Sequence, residues 1–368
     1  MATKFSDINS DIIQTHILPK LDGPSLSTAA AVSSHLQSLC SDHNLWSPTS
    51  KSTWPSITHP RVADVISTFP AGHRSFFQDS FPSLITDVNQ LINSSTSSCD
   101  DLNRSSHPCP SELISAVDIR YQNDVVYSKV EFTSITADFL YSKIKIELYN
   151  NKPDGKGSGS ESESESEDVT RISRHIDRKV DVLAGADEAT LSHLKESMTL
   201  NWIIIDPTQK RAGNISSIKP VSARQAWMSN GTVLRYVTVL PGCDPNEMVQ
   251  CRIKMVLGVD SSSNMGGLYV KKVVLKLRDV DYNCLSGREF LVITQRAISE
   301  QNNVIRKVID DDEERWKSYN EFEELKRNKK EMVEKEEEKR VKAIKMNYVG
   351  ILVSFCFSLY FLMMILIK

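Results

Sequence analysis

The residues from Tyr348 to Ile367, "YVGILVSFCFSLYFLMMILI", carry no charge. As a helix this run is roughly 30 Å long, the thickness of the hydrocarbon core of a bilayer. It is apolar on every face, so it lacks the single stripe of a helix lying on a protein surface. Its polar members Ser354 and Ser358 can return their hydroxyls to the helix backbone. Lys339, Arg340, Lys342 and Lys345 precede the run, and only Lys368 follows it. A basic excess of this kind is expected to stay in the cytosol. The expected arrangement is a single transmembrane helix acting as a tail anchor, with everything before Tyr348 facing the cytosol. The ER and the mitochondrial outer membrane both accept such tails.

The rest of the chain must therefore fold outside the bilayer. At 368 residues, two or three units are expected. A net charge of −3 implies no strong electrostatic partner. No basic stripe with interleaved aromatics appears, so nucleic acid is not an expected partner. The seven cysteines are irregularly spaced and none forms a CxxC, which fits a reduced compartment better than a disulfide framework. The start, "MATKFSDINSDII", lacks the apolar core of a secretory signal. In a cytosolic chain the N-x-S/T triplets at Asn93, Asn103, Asn214 and Asn230 are chance matches.

The fold class expected is α+β multidomain. A short helical unit spans 1–50, and irregular or helical packing follows over 51–92. A polar linker spans 93–111. From 112 to 298 the pattern changes to antiparallel strands, a sandwich-like arrangement. "AVDIRYQNDVVYSKVEF" has two β-branched runs separated at Gln122–Asp124, a hairpin signal. "LNWIIID" is a continuous apolar run, as expected of a strand covered on both faces. "REFLVI" is read as the last strand. Residues 151–169 hold an acidic insertion in which Ser160, Ser162, Ser164 and Ser166 each precede an acid. They are candidate phosphorylation sites, each adding roughly −1.5 to −2 charges, in what is otherwise a solubilising loop. Residues 299–346 read as a charged helix laced with pairs such as Glu331 with Lys335 and Glu338 with Lys342. The tail occupies 347–368.

No local catalytic motif is present: no P-loop, GxSxG, HExxH or GxGxxG. His35 and His43 lie near Cys40, but no further cysteine pair completes a zinc site, so no metal and no cofactor is expected.

The first fifty residues pose a different problem. "INSDIIQTHILPKLDGPSLSTAAAVSSHLQSLCSDHNLW" reads as three short helices with apolar stripes. Ile8, Ile12, Ile13, Ile17 and Leu21 recur at helical offsets, Pro24 suits the first turn of a second helix, and Ser33 can cap a third. Segments this short need something to cover them. The order of residues resembles the F-box. Ile17–Leu18 matches its I-L pair, Leu21 and Leu26 its following leucines, Val32–Ser33 its V-S and Leu45–Trp46 its closing L-W. The chain departs from the pattern at Ile8–Asn9, where leucine–proline is usual, and at Leu36, where an aromatic is usual. "WPSITHPRV", "LISAVDI", "WIIIDPTQKRAGNISSIKPVS" and "GREFLVI" resemble a group of plant F-box proteins with an uncharacterised β-rich C-terminal region. The resemblance implies a Skp-type adaptor that covers Ile8, Ile12, Ile13, Ile17, Leu18, Leu21, Leu26, Val32, Leu36, Leu39, Leu45 and Trp46. Through that adaptor the chain would join cullin and RING subunits of a ubiquitin ligase. The β-rich part would hold a protein substrate, with no covalent chemistry of its own. Two alternatives stand beside this reading: a membrane-anchored, lectin-like β-sandwich without ligase activity, and an enzyme with a dispersed site in the β-rich part.

Overall fold

The computed structural model describes residues 9–84, 109–150, 172–173, 188–226, 231–244, 247–260, 267–300 and 311–366. Ile8, the four insertion serines and most of the polar linker lie outside the described residues. The chain forms two compact units, Met1–Tyr319 and Asn320–Lys368.

The first unit begins with short helices whose ends are set by polar side chains. Helix α1 (Ser10–Ile12) runs on as a π turn (Ile13–Ile17) and a 3-10 turn (Leu18–Lys20). Helices α2 (Gly23–Val32), α3 (Ser34–Leu39), α4 (His43–Thr53), α5 (Pro60–Ser67) and α6 (His73–Ser80) follow. Asn9, Asp22, Ser33 and Asp42 each accept a backbone N–H from the helix they precede. Such caps are worth about 1 kcal/mol each. Pro24 stands in the first turn of α2, and Ser33 separates α2 from α3, both as expected. Gly23 sits against the Phe77 ring so closely that a Cβ there would lie 1.9 Å from the ring. Trp46 and Trp54 pack on the same ring at centroid distances of 5.3 and 5.0 Å.

Among the described residues, ten strands form two antiparallel sheets. In the first the order is β4 (Ile172–Ser173), β2 (Asp124–Ser134), β1 (Glu112–Tyr121), β5 (Met198–Asp206), β6 (Arg211–Asn214). In the second it is β3 (Ile146–Tyr149), β10 (Gly267–Arg278), β9 (Met248–Asp260), β8 (Thr232–Pro241), β7 (Ser222–Gln225). The β1–β2 hairpin turns at Gln122 and Asn123, both at positive φ, the backbone of a tight two-residue turn.

Period-two alternation assigns each sheet face its neighbour. Along β5, Leu200, Trp202 and Ile204 enter the core between the sheets, while Ile203 and Ile205 join the core beneath the helices. The continuous run "LNWIIID" is thus apolar because both of its faces are covered, as expected. β1 divides the same way, with Val117 and Ile119 inward and Ile114 and Ala116 under the helices.

Helices α7 (Ala137–Tyr141), α8 (Glu188–Ser197) and α9 (Gly287–Glu300) complete the β-rich part. The last corrects an expectation. "REFLVI" is not a strand but the start of α9, because Ser286 and Glu289 form a reciprocal capping box. Phe290, Leu291, Ile293 and Ala297 then fill the core between the sheets. Cys40, Cys109, Cys251, Cys284 and Cys356 are free thiols, whereas Cys243 is in a disulfide, a departure from a wholly reduced set.

Helix α10 (Asp311–Leu366) leads into and makes up the second unit. Glu331–Lys335 and Glu338–Lys342 pair as expected, at 3.6 and 3.8 Å. Ser358 returns its hydroxyl to the Ser354 carbonyl at 2.9 Å. The helix is long and apolar enough to cross a membrane, with a mean hydropathy of 1.7 over its apolar window and none of that window buried.

Candidate functional site

Asp118 and Arg120 of β1 are among the residues that tie the N-terminal helices to the first sheet. Asp118 is fully buried and accepts three hydrogen bonds: from Ser56 N at 2.9 Å, Ser56 Oγ at 2.5 Å and Ser128 Oγ at 2.6 Å. Burial pushes its carboxyl up to about 6, against these donors and the nearby Arg120. Arg120 Nη2 donates to the carbonyls of Ser52 and Thr53 at 2.6 and 3.0 Å, closing the C-terminal end of α4. Arg211 donates to Asp79, at the end of α6, at 2.8 Å. Asp118 and Arg120 both lie in the hairpin run, but neither is expected from sequence to tie the helices to the sheet. Their signal is a carboxylate inside the apolar run "AVDIR", a polar group that a buried strand tolerates only with partners.

Mounted in this way, the helices divide the twelve apolar residues singled out from sequence. Ile13, Leu18, Leu26, Leu36, Leu45 and Trp46 are buried in the chain's own core. Leu21 and Leu39 are partly buried against it. Ile12, Ile17 and Val32 point outward, exposed by 48%, 36% and 71%. Ile8 lies outside the described residues. The chain's own core therefore covers half of the stripes, and Ile12, Ile17 and Val32 are left exposed outside it. Around them the polar contacts are local. Gln14 donates to Asp42 at 2.8 Å, tying the π turn to the start of α4, and Arg74 donates to Ser41 at 2.7 Å. The bond from Ser25 holds the Asp22 carboxyl below its ordinary value.

Nothing among the described residues assembles a metal or catalytic centre there. No three His, Cys, Asp or Glu side chains converge. Cys40 is buried and its thiol is raised by burial. The His43 ring packs on His73, which burial lowers to about 4, while His35 pairs with Ser10. In the β-rich part a cleft of about 260 Å³ lies between α8 and the β6–β7 connection, with Lys195 over the Trp316 ring at 5.0 Å. Ser192, Ser217 and Lys219 line it without a histidine or a second carboxylate beside Glu196.

Fold and site thus comprise a helical unit with outward-facing aliphatic residues, two antiparallel sheets and, further along the chain, a helix of spanning length. Comparison with known proteins places the chain more closely. The chain is 35% identical to the F-box protein At2g27310 of Arabidopsis thaliana over 90% of its own length and 89% of that protein's. It is 33% identical to the F-box protein At3g44326 of the same plant over 79% and 73% of the two chains. No family model and no solved structure matches. The chain belongs to the F-box family.

Proposed function

We propose that this F-box protein is a substrate receptor of a Skp–cullin–RING ubiquitin ligase, held at a membrane. The exposed trio Ile12, Ile17 and Val32, on a unit whose other described F-box-like positions are buried or partly buried, is the observation that carries the reading. A short helical surface with a few outward aliphatic anchors is what a helical partner buries in a groove. Each anchor contributes about 1.5–3 kcal/mol when fully covered. The Skp-type adaptor takes this surface and brings in the cullin and RING subunits, and the β-rich part holds the target protein. The chain does no covalent chemistry. It contributes proximity between the target and the loaded conjugating enzyme.

Because the helices share a core with the sheet, the test needs the full-length chain rather than an isolated N-terminal fragment. The Ile12→Asp, Ile17→Asp double variant should lose capture of a Skp-type adaptor by at least about a hundredfold, with an unchanged melting temperature. Undiminished capture by that variant would remove the adaptor reading of this surface.

The anchor is tested separately. Removal of residues 347–368 should move the protein from a carbonate-resistant membrane pellet to the supernatant, given the cost of leaving such a run in water. In sealed vesicles, protease should digest everything before Tyr348 if that part faces the cytosol. Protection of the β-rich part would reverse the orientation.

A further inference from the structure

The second sheet has an outer face that the helices of the N-terminal unit do not use. Cys251, Ile253 and Met255 of β9 and Leu275 and Leu277 of β10 point into the core between the sheets. The alternate residues, Arg252 and Lys254 on β9 and Lys276 and Arg278 on β10, therefore share the opposite face. The register sets Lys276 beside Arg252, and Arg278 beside Gln250. Arg224 of β7 and Lys272 of β10 extend the same face to either side. The five strands of this sheet contain only two carboxylates, Glu147 and Asp260. Glu147 is already held by Lys145 at 2.8 Å and by the Tyr149 hydroxyl at 2.9 Å.

The cations crowd one another. Burial lowers Arg252 to about 10, helped by Arg235, Arg278 and Arg224. Lys254 is lowered by burial and then by Lys272, Arg224, Arg252 and Lys276. Arg278 Nε is buried with no hydrogen-bond partner. Like charges brought together on a half-covered sheet face cost stability unless a ligand of opposite charge compensates them.

We infer that this face is a docking surface for an extended, carboxylate-rich segment of the protein that the receptor holds. The inference rests on the receptor reading above and names the class of target. Same-face cations along one strand stand about 6.8 Å apart, the repeat of alternate side chains in an extended polypeptide. A chain with an acid at every second position meets them in step. Single-stranded nucleic acid is the weaker fit, because two of the tyrosines at this face, Tyr149 and Tyr282, are already stacked on cations. Arg278 lies 4.0 Å and Arg252 5.4 Å from the Tyr282 ring centre, and Lys272 lies 5.7 Å from that of Tyr149. A cation on one side of each of these rings leaves less of it to stack a base.

The test uses the full-length chain in neutral detergent and a fluorescent peptide of alternating Glu and Ser, read by anisotropy. Saturable binding that weakens with added salt is expected. The Lys254→Glu, Lys276→Glu double variant should bind at least about tenfold more weakly, while its melting temperature and adaptor capture stay unchanged. Adaptor capture that fails while the peptide still binds would count against the receptor reading and leave the acidic-segment surface standing. Absence of peptide binding by the wild type, or equal binding by the double variant, overturns the inference. So does tighter binding of oligothymidylate or of phosphatidylserine vesicles. Binding that appears only after Glu161, Glu163, Glu165 and Glu167 are changed to Gln would assign the face to the chain's own acidic insertion and overturn it equally.

Discussion

Trp46→Ala is expected to cost about 3–5 kcal/mol. Three contributions add. The indole is 1% exposed, so its removal leaves a cavity that short, capped helices cannot collapse around. Its Nε1 donates to the Cys40 carbonyl at 2.7 Å, which holds the end of α3 against α4. Its ring also packs on Phe77, the residue that meets Gly23 of α2. A fall in melting temperature on the order of 10 °C should follow. Trp46→Phe keeps most of the packing and loses the donor, so about 1 kcal/mol of additional loss belongs to the hydrogen bond. Under the proposed function, adaptor capture falls with stability in Trp46→Ala and returns at temperatures where the variant is folded. An unchanged melt with capture abolished would instead make Trp46 a direct contact.

Asp118→Ala should cost about 3 kcal/mol, because it strands the Ser56 N–H and the Ser56 and Ser128 hydroxyls in a site closed to water. The wild-type residue also has a pH signature. Its folded value of about 6 lies above the ordinary 3.8 of an aspartate. An acid raised on folding binds its proton more tightly in the folded state. Its contribution is therefore fully present below about 3.8 and is lost as the pH rises through about 6. Relative to Asp118→Asn, the wild type should gain stability as the pH is lowered from 7 to 5. Chemical denaturation of both proteins across that window measures the difference. Parallel curves would mean that the carboxyl exchanges protons as an exposed group does.

Much of this architecture is legible in the residues because local chemistry and tertiary setting agree. Pro24 and Ser33 punctuate the helices through backbone constraint and a side-chain cap, which act whatever surrounds them. Ile203–Ile205 had to be covered on both faces, since three consecutive β-branched residues leave a strand no polar side. The failure at "REFLVI" has the opposite cause. Its β-branched and aromatic residues favour a strand, while the Ser286–Glu289 box and the core beside it favour a helix, and the core prevails. The division of the twelve apolar residues was hidden for another reason. Helices of three to eleven residues have too few turns for periodicity to tell an inward stripe from an outward one. The cationic face was hidden because its members lie on different strands and come together only through the antiparallel register.

The mount formed by Asp118 and Arg120 has one more consequence. The N-terminal helices and the first sheet share one core: Ile114, Ala116, Ile203 and Ile205 belong to the same cluster as Trp46 and Leu26. A copy whose sheet has failed to form therefore cannot present Ile12, Ile17 and Val32 in their folded arrangement. Under the proposed function, misfolded or truncated copies would withdraw from competition for a shared adaptor, and the fold itself would act as a quality check on which molecules enter the ligase.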